Sequence, residues 1–229
     1  MQWLKDTNAA FDTLKGGLGN AESLFLKDLV SKVIRPGMIG FDTGCYTGWT
    51  ASQVWDVFNA NGGHFYCVDW FKGNVNSQVG DYVWDAMATA EQQSYLAAAD
   101  KILLQLLKNI EVSAASDFVS VVITDSWRPA FLLADKSIDY VYVGGDHRYS
   151  GIKRDLEAWV PKVRSGGVIC GHAYLGYVEP NSDKWKQLCA EPELDYYHHA
   201  GCHFGVNRAL HELFGSSICV GGSCWGKFL

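Results

Sequence analysis

Apolar positions along the chain fall into two rhythms. Near the start, Trp3, Leu4, Phe11 and Leu14 recur at roughly helical spacing before Gly16-Gly17, and Leu26, Leu29, Val30, Val33 and Ile34 repeat the pattern ahead of Pro36-Gly37. Two amphipathic helices are expected there. From Met38 the rhythm changes to short apolar runs, each followed by turn residues and a helical stretch: MIGFDT at 38–43, HFYCVDW at 64–70, FVSVVIT at 118–124, IDYVYVG at 138–144 and GVICGHA at 167–173. These runs are too continuously apolar for exposed hairpin strands. The stretches Trp49 to Phe58 and Ile152 to Val163 between them carry helical periodicity. Strand and helix alternation of this kind predicts an α/β fold, a doubly wound, mostly parallel sheet with helices on both faces.

The segment Trp70 to Gly80 is rich in Gly, Asn and Ser and reads as a loop, and a long helical region follows from about Tyr82 to Leu107. Within it the stripe Leu103, Leu104, Leu106, Leu107 reads as core. Residues 174–203 carry few periodic features and many aromatics, and loops of this length are usually functional or mobile. A helix is expected from Val206 to Phe214, and ICV, Gly221-Gly222 and SCW then form a two-residue hairpin signal. With no repeat or linker, the expectation is one domain over 1–229, with N-terminal helices in 1–37, a ligand-binding core in 38–173, and a loop, helix and closing hairpin in 174–229.

Composition narrows the partners. Of 229 residues 48% are hydrophobic, enough for a substantial core, and the formal net charge is −6, the wrong sign for a nucleic-acid backbone. No window approaches the roughly 18 to 20 apolar residues of a membrane span, and the opening MQWLKDTNAAFDTLK lacks a secretory layout. A soluble cytoplasmic protein with a small-molecule ligand is the expectation. Seven cysteines (Cys45, Cys67, Cys170, Cys189, Cys202, Cys219, Cys224) show no CxxC pairing, which favours reduced thiols.

In a doubly wound sheet, ligands bind beyond the carboxyl ends of the strands. The first strand ends in Asp42-Thr43-Gly44-Cys45-Tyr46-Thr47-Gly48-Trp49-Thr50, a carboxylate and two glycines on a strand-to-helix turn. This is either an ordinary tight turn or a loop whose backbone approaches a ligand. Its spacing is not GxGxxG. Asp69, ending the second strand, serves either ribose hydroxyls or a turn, and Asp125-Ser126-Trp127, after the third, serves either a ligand or the cap of the next helix.

The block from Met38 to Phe214 resembles the class I S-adenosylmethionine (SAM) dependent methyltransferases, in the branch of small-molecule and sugar O-methyltransferases. Asp42-x-Gly44-x-x-x-Gly48 is similar to the family's first SAM motif and Asp69 to its ribose-binding acid. SIDYVYVGGDHRYSGIKRDLEAWVPKVRSGGVICGHAY is similar to its fourth-strand to fifth-strand block, and FGVNRALHELFG to its following helix. The resemblance implies a Rossmann-like sheet with SAM over the first strand ends. Asp42 and Gly44 would lie at its methionine end, Asp69 at the ribose, and Asp125 and Ser126 at the adenine beside Trp70 or Trp127, with Gly48, Thr50 and Asp146 also among the cofactor-binding residues. Carboxylates suit a cofactor with a cationic sulfonium and ammonium and would repel a dinucleotide pyrophosphate.

The chain departs from the family where many members hold a divalent metal. Gly144 and Ala173 stand where carboxylates are expected, so no magnesium site is expected in the usual place. A side chain must then take the acceptor's proton, and His147 and His172 are the candidates, each alternatively a structural histidine. His198, His199, Cys202 and His203 offer soft ligands, but their spacing is against zinc. That loop is expected to form an acceptor pocket lined by Trp185, Tyr196 and Tyr197. Three functions compete: a SAM-dependent methyltransferase, a SAM-binding protein without catalysis, and a nicotinamide-dependent oxidoreductase. An apolar N-terminal helix and a terminal hairpin are plausible elements of a homodimer.

Overall fold

A computed structural model describes residues 19–71, 99–174, 176–179, 181–190, 197–198 and 202–229. The expected first helix, most of the Trp70 to Gly80 loop, the first part of the Tyr82 to Leu107 helix, and Tyr196 and His199 lie outside them. Along the chain the elements are α1 (Asn20–Ser31), β1 (Ile39–Thr43), α2 (Trp49–Ser52), α3 (Trp55–Ala60), β2 (His64–Asp69), α4 (Ala99–Val112), β3 (Val119–Ile123), β4 (Ile138–Val143), α5 (Tyr149–Trp159), β5 (Val163–Gly171), α6 (Asp183–Ala190), β6 (Tyr197–His198), β7 (Cys202–His203), α7 (Phe204–Phe214), β8 (Cys219–Gly221) and β9 (Cys224–Phe228). Single 3₁₀ turns cover Arg128–Leu132 and Val160–Lys162.

The main sheet has seven strands in the order β3-β2-β1-β4-β5-β9-β8. The first five pair in parallel, while β9 runs antiparallel to β5 and β8 to β9. This is the doubly wound, Rossmann-like arrangement expected, with its closing hairpin. All five parallel strands fall on the apolar runs read from the sequence, β5 starting earlier, at Val163.

Alternation along the strands sorts the core into two layers. Phe65, Cys67, Tyr140, Tyr142, Val168 and Cys170 meet Leu26, Leu29 and Val30 of α1, Trp55 and Phe58 of α3, and Leu106 of α4. Phe41, Val141, Val143 and Ile169 meet Ile152, Leu156 and Trp159 of α5 and Val206 and Leu210 of α7. Every residue of the central β4 is buried, which explains why its sequence shows no polar alternation.

Three details differ from expectation. The helix expected over Trp49 to Phe58 divides into α2 and α3, because Ser52 Oγ and Gln53 Nε2 both donate to the Trp49 carbonyl, at 2.7 and 3.2 Å. Gln53 N turns instead to Thr50 O, a 3₁₀ closure that ends the helix. The hairpin turn sits one residue later than read: Gly221 pairs with Cys224, leaving Gly222-Ser223 as the loop, and Gly222 takes φ +64°. In the leucine stripe, Leu106 is buried and Leu103 packs on the core, but Leu104 and Leu107 are exposed. Among the described residues no helix is long and apolar enough to cross a membrane.

Asp139 ties the layers together below the sheet. Its fully buried carboxylate accepts from Arg35 Nε and Nη2 at 2.5 and 3.0 Å, from Ile39 N at 2.8 Å and from Arg164 Nε at 2.5 Å. Burial acts to raise this carboxyl, but bonds from Arg35, Ile39 and Arg164 outweigh it and hold it below its ordinary value. Its stabilisation is therefore complete above the usual carboxylate range and lost as pH falls through the depressed pKa. Asp139→Asn is expected to cost about 2 kcal/mol at pH 7, with the difference from wild type shrinking below pH ~4. Urea denaturation at both pH values checks this.

Candidate functional site: the carboxyl ends of the parallel strands

The β1 turn is built by backbone bonding to β2 and by two left-handed glycines. Gly44 N and Cys45 N both donate to Val68 O, at 2.8 and 3.1 Å. Gly44 has φ +88°, and a Cβ there would stand 2.6 Å from the Gly145 backbone. Gly48 has φ +82°, and its Cβ would stand 2.6 Å from Leu106 Cδ1. The glycines thus serve close packing of the turn against the β4 loop and α4. Asn109 of α4, fully buried and not singled out in the sequence, donates to Thr47 O at 2.9 Å.

Asp42 lies inside this turn. It is 1% exposed, and among the described residues neither carboxylate oxygen has a hydrogen-bond partner. Burial first and the neighbouring Asp69 second push its pKa up to about 8; the Ala51 backbone amide pulls the other way without reaching hydrogen-bond geometry. Thr50, on α2, lies near the Tyr142 hydroxyl. Asp69 is better supported: Tyr46 N donates to its Oδ2 at 2.9 Å and Phe71 N to its Oδ1 at 2.8 Å. Burial raises this carboxyl too, against those amides and that of Trp70. Asp69 thus braces both loops, and a carboxylate with about four lone-pair sites still has capacity for a ligand hydroxyl beside these amides.

At the end of β3, Asp125 pairs with Arg128. Ser126 Oγ donates to Asp155 Oδ1 at 2.8 Å, and Ser126 O accepts from Trp159 Nε1 at 3.0 Å. Asp155 went unnoticed in the sequence, where it is one polar residue on an amphipathic helix. It is fully buried, its Oδ2 has no hydrogen-bond partner among the described residues, and burial, against the Ser126 bond and Arg154, pushes its pKa up to about 7.

At the ends of β4 and β5, Asp146 is engaged by Arg148, whose Nη2 and Nε approach Oδ2 at 2.6 and 3.0 Å. His147 stands between two other histidines, with ring centroids 4.6 Å from His172 and 4.4 Å from His203. His172 lies parallel to the Tyr142 ring at 5.8 Å. The fold therefore brings His203, considered in the sequence only as a soft metal ligand, into the same cluster as the two candidate bases. Trp185 packs on Val178 and Phe204, edge-on to His211.

The donor set does not fit the family's divalent cation. Gly144 offers no side chain, Ala173 is buried with φ +65°, and among the described residues no group of three or more His, Cys, Asp or Glu is placed to hold a metal ion. The orphaned carboxylate of Asp42, by contrast, fits a cationic ligand.

Two consequences are measurable. Gly44→Ala is expected to cost about 2 to 4 kcal/mol, since both the positive φ and the backbone contact oppose a Cβ; thermal denaturation reads it directly. Because the Asp42 pKa is raised in the folded state, its contribution to stability falls as pH rises from about 4 to about 8. Asp42→Asn is therefore expected to stabilise the ligand-free protein by roughly 2 to 4 kcal/mol more at pH 9 than at pH 5, and equal effects at the two pH values would contradict this placement.

A sequence-family profile for a methyltransferase domain matches residues 41–174. The O-methyltransferase NovP shares the fold at TM-score 0.58 and 17% identity, covering 92% of this chain and 81% of its own. A Corynebacterium glutamicum protein gives TM-score 0.56 at 14% identity, covering 100% and 88%. A SAM-dependent methyltransferase from Aquifex aeolicus gives 0.50 at 11%, covering 98% and 94%. A sequence comparison with curated proteins gives no match. The profile spans β1 to the end of β5 and the turn that carries Asp42 and Gly44, and the chain accordingly belongs to this family of SAM-dependent methyltransferases.

Proposed function

We propose that the protein methylates an oxygen of a small hydroxylated molecule, a sugar or similar metabolite, with histidine rather than a bound metal serving the acceptor. The observation that carries the cofactor placement is the buried, unpartnered carboxyl of Asp42 inside the β1 turn. Such a group is costly when ionised alone and favourable once a cation lies beside it.

The chemistry supplied by bound SAM is a methyl carbon activated by its sulfonium. In this reading Asp42 holds the cationic methionine end, with Gly44, Gly48 and Thr50 shaping the turn around it. Asp69 offers its remaining lone pairs to the ribose, with Trp70 next to it. Asp125 accepts from the adenine amine, and Ser126 shapes the loop. Asp146, engaged by Arg148, braces the β4 loop rather than touching the ligand. Proton removal from the acceptor hydroxyl falls to His147 or His172. General-base help of this kind contributes about 10² to 10⁴ in rate. The small-molecule class of acceptor is supported by the acidic balance of the chain, net charge −6.

Gly144 and Ala173 also favour a second reading, a SAM-binding protein that no longer turns over. Calorimetry with SAM and with S-adenosylhomocysteine, followed by a methylation assay on a metabolite pool, separates the two. Tight binding without transfer to any acceptor supports the second.

Ionisation of Asp42 on binding has its own signature. At pH 7 binding is expected to release close to one proton, read as a dependence of the calorimetric enthalpy on buffer ionisation enthalpy, and affinity should rise between pH 6 and pH 8. Asp42→Asn should abolish the release, and a wild-type enthalpy independent of buffer would count against the placement. Transfer activity should also survive EDTA, whereas its loss on chelation and recovery with magnesium would show that a metal acts at this site.

A further inference from the structure

Two side chains one helical turn apart on α5, Asp155 and Trp159, reach the same residue on the loop after β3. Asp155 Oδ1 accepts the Ser126 hydroxyl at 2.8 Å, and Trp159 Nε1 donates to the Ser126 carbonyl at 3.0 Å. A third residue of the same helix, Arg154, places its guanidinium 5.4 Å from the centroid of the Trp127 ring, which Arg128 covers at 4.9 Å while pairing with Asp125. Asp155 and Trp159 are both fully buried, so their bonds form away from competing water and carry more weight than surface contacts. The absent side chain of Gly145 leaves the room: a Cβ there would stand 3.3 Å from Ser126 Cβ and 3.4 Å from Asp155 Oδ2.

An ordinary loop between a strand and a 3₁₀ turn does not need a buried carboxyl and an indole from another element to hold one serine. A carboxylic acid without a full set of partners costs stability, and Asp155 Oδ2 has no hydrogen-bond partner among the described residues. The arrangement makes sense if the position of Asp125 and Ser126 matters for recognition.

We propose that Asp155 and Trp159 are positioning residues for nucleobase recognition, locking Ser126 so that Asp125 is held where it accepts a hydrogen bond from the 6-amino group of the cofactor's adenine. The inference rests on the SAM placement given above and extends it to residues that do not touch the ligand. Its signature is specificity more than affinity. A held carboxylate accepts from a 6-amino group and opposes a 6-oxo group, whereas a loop free to move adapts to either.

The test compares S-adenosylhomocysteine with S-inosylhomocysteine, which carries the 6-oxo group, by calorimetry on the full chain. Wild type should prefer the adenosyl compound. Asp155→Leu should weaken it by about 10-fold while changing the inosyl compound much less, so the preference contracts. Asp155→Asn, whose amide oxygen still accepts from Ser126, should keep the wild-type preference. Trp159→Phe removes only the indole donor and should contract the preference in the same direction; it carries the test if Asp155→Leu does not fold. A purely packing role would lower both affinities together or neither. Equal losses for the two compounds, or an unchanged preference in folded Asp155→Leu and Trp159→Phe, would overturn the proposal. Wild-type protein that binds neither compound would overturn the cofactor placement and this inference together.

Discussion

A buried carboxyl group governs the ligand end of this sheet. Asp42 sits on β1 between β2 and β4, opposite Cys67 and Tyr142 in register, with no donor for either oxygen among the described residues. Hydrophobic packing of the surrounding layer has to supply the stability that the group withholds. The turn after it is correspondingly fixed, through Val68 O, through Asp69 on Tyr46 N, and through Asn109 on Thr47 O. On the reading proposed above, such a carboxyl is costly alone and preorganised for a cation, the usual compromise between stability and function.

Much of the sheet was legible because parallel strands buried on both faces must be continuously apolar, and the chain places such runs at β1 to β5. The turn of Asp42, Gly44 and Gly48 was legible for a similar reason, since few residues other than glycine tolerate those φ values. What could not be read is pairing between distant elements. Asp155 and Asn109 are single polar residues on amphipathic helices, and only the packing of α5 and α4 shows that each faces one particular loop. Asp146 is met by Arg148, two residues away, a pairing that its position at the end of β4 does not announce. His203 joins His147 and His172 because α7 begins against the β4 loop, where Gly205 comes so near the His147 carbonyl that a Cβ would stand 2.4 Å from it. No local pattern encodes that approach.

The departure at Gly144 and Ala173 has a backbone record. Ala173 keeps φ +65° in a buried position, a conformation that alanine adopts at some cost and that aspartate or asparagine accepts more readily. The backbone there suits a carboxylate side chain that this sequence lacks. The neighbouring His147, His172 and His203 stand close enough there for their rings to touch.

The strand order has a consequence for how the molecule comes into being. β9 lies between β5 and β8, and its end is sewn to the start of β5 by Leu229 N on Gly167 O and Gly166 N on Leu229 O. During synthesis β5 is made well before its outer neighbour, and until Cys224–Phe228 leaves the ribosome the β5 edge stands bare beside finished parallel strands. An unpaired apolar edge invites pairing with another nascent chain. Chaperone demand should thus be set by the delay between two segments rather than by the finished fold.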